Sequence, residues 1–189
     1  MSTFPEWPPL EPLPPNPLLT PRLTLRKTSV DDARVIFATY ANDPEVTRFL
    51  LWKPGQRLEE IESFLKRAVE RWERGDLLTW AITLRESGTL IGMIHVNIEC
   101  SAQVGYVIAR PYWNHGYMTE ALGAVVEWTL TRGDIYRVWA VCDTENTASA
   151  RVMEKSGMRR EGVLRSYLVF PNLSPTPRDC YCYAKVKGD

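Results

Sequence analysis

The sequence has 189 residues, a length that suits one domain with a sizeable hydrophobic core. Apolar residues make up 44% of it and charged residues 24%, as in ordinary globular proteins. The 23 basic and 23 acidic side chains cancel, which argues against nucleic acid or an anionic membrane as a partner. No apolar run approaches the roughly 20 residues of a membrane span, and no signal peptide opens the chain. We therefore expect a cytoplasmic protein, monomeric or homodimeric, with no nucleic-acid or membrane partner.

Residues 1–18 are rich in proline, which disfavours a helix or a central strand and predicts an extended arm. The arm is either a docking strap for a second subunit or a solvated tail, and we favour the tail. Residues 19–189 are expected to form a single domain. Its cysteines are expected to be reduced thiols. Cys180 and Cys182 lie two apart in a predicted strand, a spacing that suits neither a redox pair nor a zinc site, so no metal is expected.

The first part of the domain alternates apolar and polar residues over Thr20–Arg26, which predicts a strand. Ser29 caps a predicted helix that runs through about Ala41, and Pro44 starts another helix. A longer helix is predicted over Leu58–Arg74, where apolar residues recur on one face.

Three strands are predicted next, over Leu78–Leu84, Leu90–Ile98 and Gln103–Ile108. Period-two alternation places His95 and Glu99 on one face of the middle strand. Polar side chains at that face could deprotonate or orient an amine. The competing explanations are an exposed strand end for Glu99 and a hydrogen-bonded core histidine for His95.

The third strand breaks at Arg110-Pro111, and a helix begins near Tyr117 with an apolar stripe through Trp128. A short loop that opens a helix leaves several backbone N–H groups free, and the helix dipole favours an anion there. Gly116 lets a ligand approach the backbone closely. This junction is therefore a candidate anion site.

The junction resembles the acetyl-CoA-binding segment of the GNAT N-acetyltransferases, and in particular the RimJ/RimL branch, which commonly reads W-G-K-G-Y-A-T-E-A. Asn114, His115 and Met118 depart from that pattern. These departures are expected to narrow the space for a pyrophosphate and to make the charge at position 115 depend on pH. The matching residues are Trp113, Gly116, Tyr117, Thr119, Glu120 and Ala121.

A second segment resembles the same family. It follows a nearly continuous apolar strand predicted over Tyr136–Cys142. Asn146, Ser149 and Gly157 match the GNAT pattern N-x-x-S-x-x-x-x-x-x-x-G-F, with Met158 in place of the usual Phe. Two motifs in the family's order indicate membership far more strongly than either one alone. The alternative explanation of the Asn and the Ser is capping of a helix.

The resemblance implies an α+β fold of the three-layer α/β kind, with a mixed, mostly antiparallel sheet of about seven strands flanked by helices. It implies acetyl-CoA as co-substrate, with Asn146 on the pantetheine arm and Ser149 near the thioester sulfur. Trp52 would border the acceptor site, although ordinary packing explains it equally well. The other implied cofactor contacts are the backbone of Val107, Ile108 and Ala109 for pantetheine, and Asn114, His115, Gly116, Tyr117, Met118 and Thr119 for pyrophosphate.

Amide formation from a thioester needs a base for the amine and an acid for the leaving sulfur, and Ser149 is the candidate acid. The base is Glu99, His95 or a relayed water, because the carboxylates usual in the branch are absent here. An α-amine has a pKa near neutral and needs little help, which favours a protein N-terminus as the acceptor. The alternatives are a small-molecule amine, such as an aminoglycoside or a polyamine, and a CoA-binding partner protein without catalysis.

Overall fold

The computed structural model describes residues 13–98 and 101–189, so Glu99 and most of the proline-rich arm lie outside the described residues. Within those ranges, no helix is long and apolar enough to cross a membrane. The strands are β1 (Leu18–Leu19), β2 (Leu23–Lys27), β3 (Leu77–Leu84), β4 (Leu90–Ile98), β5 (Ala102–Ile108), β6 (Arg137–Asp143), β7 (Arg159–Leu168) and β8 (Arg178–Val186). The α-helices are α1 (Ala33–Ile36), α2 (Pro44–Thr47), α3 (Leu58–Arg74), α4 (Tyr117–Thr131) and α5 (Thr147–Lys155).

All eight of these strands form one sheet in the order β1-β2-β3-β4-β5-β6-β8-β7. Every neighbouring pair is antiparallel except β5 and β6, which are parallel. The expected mixed, mostly antiparallel α+β architecture is confirmed. The strand beyond the expected seven is accounted for by β1, which is only two residues long.

The segment predicted as one helix from Ser29 to about Ala41 is helical throughout Val30–Ala41 with Ser29 as its N-cap, but its hydrogen-bond pattern changes along the chain. A 3-10 turn over Val30–Asp32 comes first, then α1, and then a π-helical turn over Phe37–Ala41. The carboxylate of Asp32 accepts a hydrogen bond from the Ser29 N–H at 2.8 Å and closes the first turn tightly. Ser29 Oγ accepts in turn from the Asp31 N–H at 3.2 Å, and this capping box stabilises the start of the helical segment.

Helices cover both faces of the sheet. On one face α1 and α3 pack Ile36 and Leu65 against Met93 and Val107 of the sheet. On the other face α4 and α5 pack against a larger cluster that contains Leu25, Trp80, Ile82, Ile94, Val96, Leu122, Val125 and Met153. Apolar strand residues alternate between these two clusters, as the pleat requires.

The parallel pair β5–β6 is short. It pairs only Ala102 with Val138 and Gln103 with Trp139. Beyond these residues β5 follows β4 to Ile108, while β6 follows β8 to Asp143. The two strands therefore part towards their carboxyl ends, where the helices α4 and α5 begin.

Candidate active site

A tyrosine on β5 reaches across the parting strands to the start of α5. The hydroxyl of Tyr106 lies 2.8 Å from Ser149 Oγ and donates to the Ser149 carbonyl at 3.2 Å. Burial raises the pKa of the Tyr106 phenol, and the hydrogen bond to Ser149 offsets this only in part. The pair is therefore protonated at neutral pH and holds Ser149 at the mouth of the gap.

Asn146 is the N-cap of α5. Its Oδ1 accepts a hydrogen bond from the Ser149 N–H at 3.1 Å, so capping is confirmed for this residue. Within the described residues, the Asn146 amide nitrogen donates to no protein acceptor. Its two N–H donors remain available to a ligand while its oxygen caps the helix.

The loop before α4 presents a row of free backbone donors. Trp113 folds away from it, since its indole N–H donates to the Ile108 carbonyl at 2.9 Å. Across the described chain, none of the backbone N–H groups from Asn114 to Thr119 has a protein acceptor, and no side chain caps α4. Six successive donors at the positive end of a helix form a site suited to a phosphate.

The departures from the family pattern do not close this loop. Asn114 adopts a left-handed backbone with φ 62°, as a glycine would, and Gly116 follows with φ 77°. The side chain of Met118 is buried in the core and does not occupy the loop. His115 bonds through Nδ1 to the Trp113 carbonyl at 2.7 Å and stacks on the ring of Tyr117. The expected narrowing of the phosphate space by Asn114 and Met118 is therefore wrong.

The end of β5 offers fewer free groups than the sequence predicts. The Ala109 N–H donates to the Ile91 carbonyl at 2.8 Å, and the Ala109 carbonyl accepts from Tyr112 at 3.0 Å. Ala109 is thus occupied within the protein, and strand alternation also turns the backbone of Val107 towards β4. Ile108 is the strand-end residue whose N–H points into the gap.

His95 lies on the face of β4 that carries Met93, opposite Gly105 of β5. A Cβ on Gly105 would come within 2.6 Å of the imidazole, so only glycine fits beneath it. The His95 side chain is exposed to solvent, although many protein atoms lie around it. In the described part of the chain its ring nitrogens have no hydrogen-bond partner, so the core-histidine alternative is wrong. Burial, and then the positive charge of Arg71, lower the pKa of His95 from 6.5 to about 4.

Trp52 borders the same face. Its indole N–H donates to the Ala41 carbonyl at 3.3 Å, and its ring packs against the cluster that contains Met93. The amide of Asn172, from the loop between β7 and β8, donates to the Trp52 and Thr47 carbonyls, each at 2.7 Å. An open depression of about 400 Å³ lies between Lys53 and the β7–β8 loop.

Several residues of the site escaped the sequence-based predictions. Tyr106 reads as an ordinary strand residue, and Arg71 as one charge among many on α3. Asn172 lies in a loop without a family motif. Glu99, the other candidate base, lies outside the described residues. No cluster of metal-ligating side chains occurs in residues 13–98 and 101–189.

Comparisons with known proteins identify the family of the chain. A family model described as an acetyltransferase (GNAT) domain matches residues 22–159. The uncharacterized N-acetyltransferase YoaA of Bacillus subtilis is 33% identical over 174 residues, which cover 90% of this chain and 96% of that protein. A GNAT-family acetyltransferase from Bacillus anthracis superposes with a TM-score of 0.80 at 26% identity, over 91% of this chain and 99% of that one.

RimL, a ribosomal-protein α-N-acetyltransferase solved in complex with coenzyme A, superposes with a TM-score of 0.79 over 88% of this chain and 95% of that one. At 22% identity this likeness concerns the fold alone. The family model, in contrast, spans well over half of the chain, and YoaA aligns with nearly all of it. The chain therefore belongs to the GNAT acetyltransferase family and is an N-acetyltransferase.

Proposed function

We propose that the protein transfers the acetyl group of acetyl-CoA to the α-amine of a protein N-terminus, by direct attack in a ternary complex. The observation that carries the proposal is the row of free N–H groups from Asn114 to Thr119 beside the parting strands β5 and β6. A diphosphate fits such donors, and a Cβ added at Gly116 would meet only Arg22 within 4 Å. The Ile108 N–H and the Asn146 amide are the donors for the pantetheine arm.

Two sets of side chains supply the proton transfers. The amine nitrogen attacks the thioester carbonyl carbon as the C–S bond breaks, which yields an amide and a free thiol. The neutral imidazole of His95 accepts a hydrogen bond from the amine and takes its proton as the nitrogen becomes acidic on forming the C–N bond. Ser149 donates a proton to the leaving sulfur and regains one from Tyr106; solvent then reprotonates Tyr106 and takes the proton held by His95. Holding both substrates in one cleft supplies much of the acceleration.

The charges around the acceptor side favour a peptide over a polycation. The segment from Arg48 to Arg57 contains three cationic side chains and no carboxylate. Arg71, which is paired with Asp76 at 3.1 Å, acts on His95 as a positive charge and lowers its pKa. Polyamines and aminoglycosides carry several positive charges and would be repelled here, whereas a peptide α-amine can reach the cleft in its neutral form.

The test is the release of free CoA thiol from acetyl-CoA with a panel of amines. Peptides with free N-termini are compared with the same peptides blocked at the N-terminus, with spermidine and with an aminoglycoside. We expect turnover with the free peptides alone. Turnover with the polyamine or the aminoglycoside only would assign the small-molecule alternative. Binding of acetyl-CoA without turnover of any amine would assign a CoA-binding protein that lacks catalysis.

A further inference from the structure

The side chain of Arg22, just before β2, reaches the loop before α4 and forms hydrogen bonds with two residues there. Its Nε donates to Glu120 Oε2 at 2.6 Å, and its backbone N–H donates to Glu120 Oε1 at 2.8 Å. Its Nη1 donates to the carbonyl of His115 at 3.0 Å. Its guanidinium also lies 4.6 Å from the centre of the Tyr117 ring. One side chain thus ties the first turn of α4 to the residue before Gly116.

The contact between Arg22 and Glu120 also affects the charge at the candidate phosphate site. A carboxylate in the first turn of a helix is favoured by the helix dipole but repels a phosphate bound at the same end. Burial pushes the pKa of Glu120 up, but hydrogen bonds from Thr20 and Arg22 and the Arg22 charge hold that pKa below its usual value. Glu120 is therefore ionised, and Arg22 neutralises it.

Arg22 also has a donor to spare. Its Nη2 points at Gly116, 3.5 Å from where a Cβ would stand, and finds no acceptor within the described residues. The RimJ/RimL branch commonly places a lysine where this chain has His115. Arginine is charged at every physiological pH and offers donors suited to phosphate oxygens.

We propose that Arg22 is the positioning residue of the diphosphate loop: it holds the loop in its donor-out conformation, cancels the charge of Glu120 and provides the permanent cation that position 115 lacks. The inference rests on the proposed function, because it assumes that the loop binds the diphosphate of acetyl-CoA. Arg22 stands 93 residues from His115 in sequence, on a different element.

The test compares two ligands, of which only acetyl-CoA carries the 3′-phospho-ADP moiety with its diphosphate. Calorimetry measures the dissociation constants of acetyl-CoA and of S-acetylpantetheine, which has no phosphate, for the wild type, Arg22→Gln and Arg22→Lys. We expect Arg22→Gln to raise the dissociation constant of acetyl-CoA about tenfold or more, as for the loss of one charge-assisted contact. The dissociation constant of S-acetylpantetheine should not change. Arg22→Lys should lose less affinity for acetyl-CoA, since lysine keeps the positive charge but cannot bond to both Glu120 and the His115 carbonyl. Arg34→Gln is the matched control, because Arg34 is exposed on α1 and carries the same charge.

The outcomes separate the two proposals. A wild type that does not bind acetyl-CoA removes the proposed function itself. If the wild type binds and Arg22→Gln binds equally well, the role of Arg22 is refuted. Equal weakening of both ligands would make Arg22 a support of the fold only, and this also refutes the inference. If Arg22→Gln fails to fold, Arg22→Lys decides by the same comparison of ligands.

Discussion

At the scale of single residues, the groups to which we assign the proton transfers lie on opposite faces of the sheet. Tyr106 extends from one face towards Ser149, and its neighbour Gly105 lies under the imidazole of His95 on the other face. Adjacent strand residues point to opposite faces, so our assignment puts the base and the acid on opposite sides of the sheet. Their roles differ enough to be separated by mutation.

Replacing Ser149 by alanine removes the hydroxyl that we assign to the leaving sulfur. We expect Ser149→Ala to lower kcat about 100-fold, as for other general acids, with little change in the KM for acetyl-CoA. Steady-state kinetics with a peptide acceptor measure both constants. Thr147→Ala, in the same turn of α5, is the control and should keep wild-type kcat. An unchanged kcat in Ser149→Ala would remove this residue from the mechanism.

The lowered pKa of His95 makes a prediction about stability. Between pH 6.5 and about 4 the unfolded chain binds a proton at this site that the folded chain does not. The free energy of unfolding should therefore fall as the pH drops through that window. We expect His95→Gln to flatten this part of the pH dependence, measured as Tm between pH 4 and 7. The same slope in wild type and variant would contradict the assignment.

At the scale of elements, the loop before α4 depends on Gly116. Its φ of 77° suits glycine, and the free N–H groups surround it. A large side chain there would both strain the backbone and fill the space between the donors.

We therefore expect Gly116→Trp to abolish the binding of acetyl-CoA, with the fold retained. Calorimetry gives the affinity and circular dichroism the fold. Gly123→Ala is the control, because Gly123 lies within α4 and a Cβ there has no neighbour within 4 Å. Wild-type affinity in Gly116→Trp would show that the ligand does not use this loop.

At the scale of the whole molecule, one sheet separates two hydrophobic clusters. Leu65 of α3 lies in one cluster and Leu122 of α4 in the other, and both side chains are fully buried. The strands β3, β4 and β5 contribute side chains to both clusters. Unfolding of one cluster should therefore expose the side chains of the other cluster to water. The clusters should therefore unfold together.

We expect Leu65→Ala and Leu122→Ala each to lower the free energy of unfolding by about 2–5 kcal/mol. Urea unfolding, followed by circular dichroism and by tryptophan fluorescence, measures this. Each variant should unfold in one transition at the same urea concentration by both probes. Two separate transitions in either variant would mean that the faces of the sheet are independent.

Much of the fold follows from the sequence, because periodicity reports local structure. The apolar face of α3 and the alternation in β4 predict these elements closely, at Leu58–Arg74 and Leu90–Ile98. The predicted cap at Ser29 and the helical segment through Ala41 are confirmed, but the change from 3-10 to α and then to π hydrogen bonding is not predicted. A pattern of apolar residues shows which face of a helix is buried, and it does not contain that geometry.

The sequence by itself determined the family, through the motifs at Trp113–Ala121 and Asn146–Gly157. It also predicted the candidate anion site in the loop before α4. Only the tertiary structure decided how that loop is held and which groups meet across the gap. Arg22 and Glu120 lie 98 residues apart, and Tyr106 and Ser149 lie 43 apart. The physical reason is that periodicity and local propensity act over a few residues, whereas contacts between distant side chains arise only when the strands and helices pack.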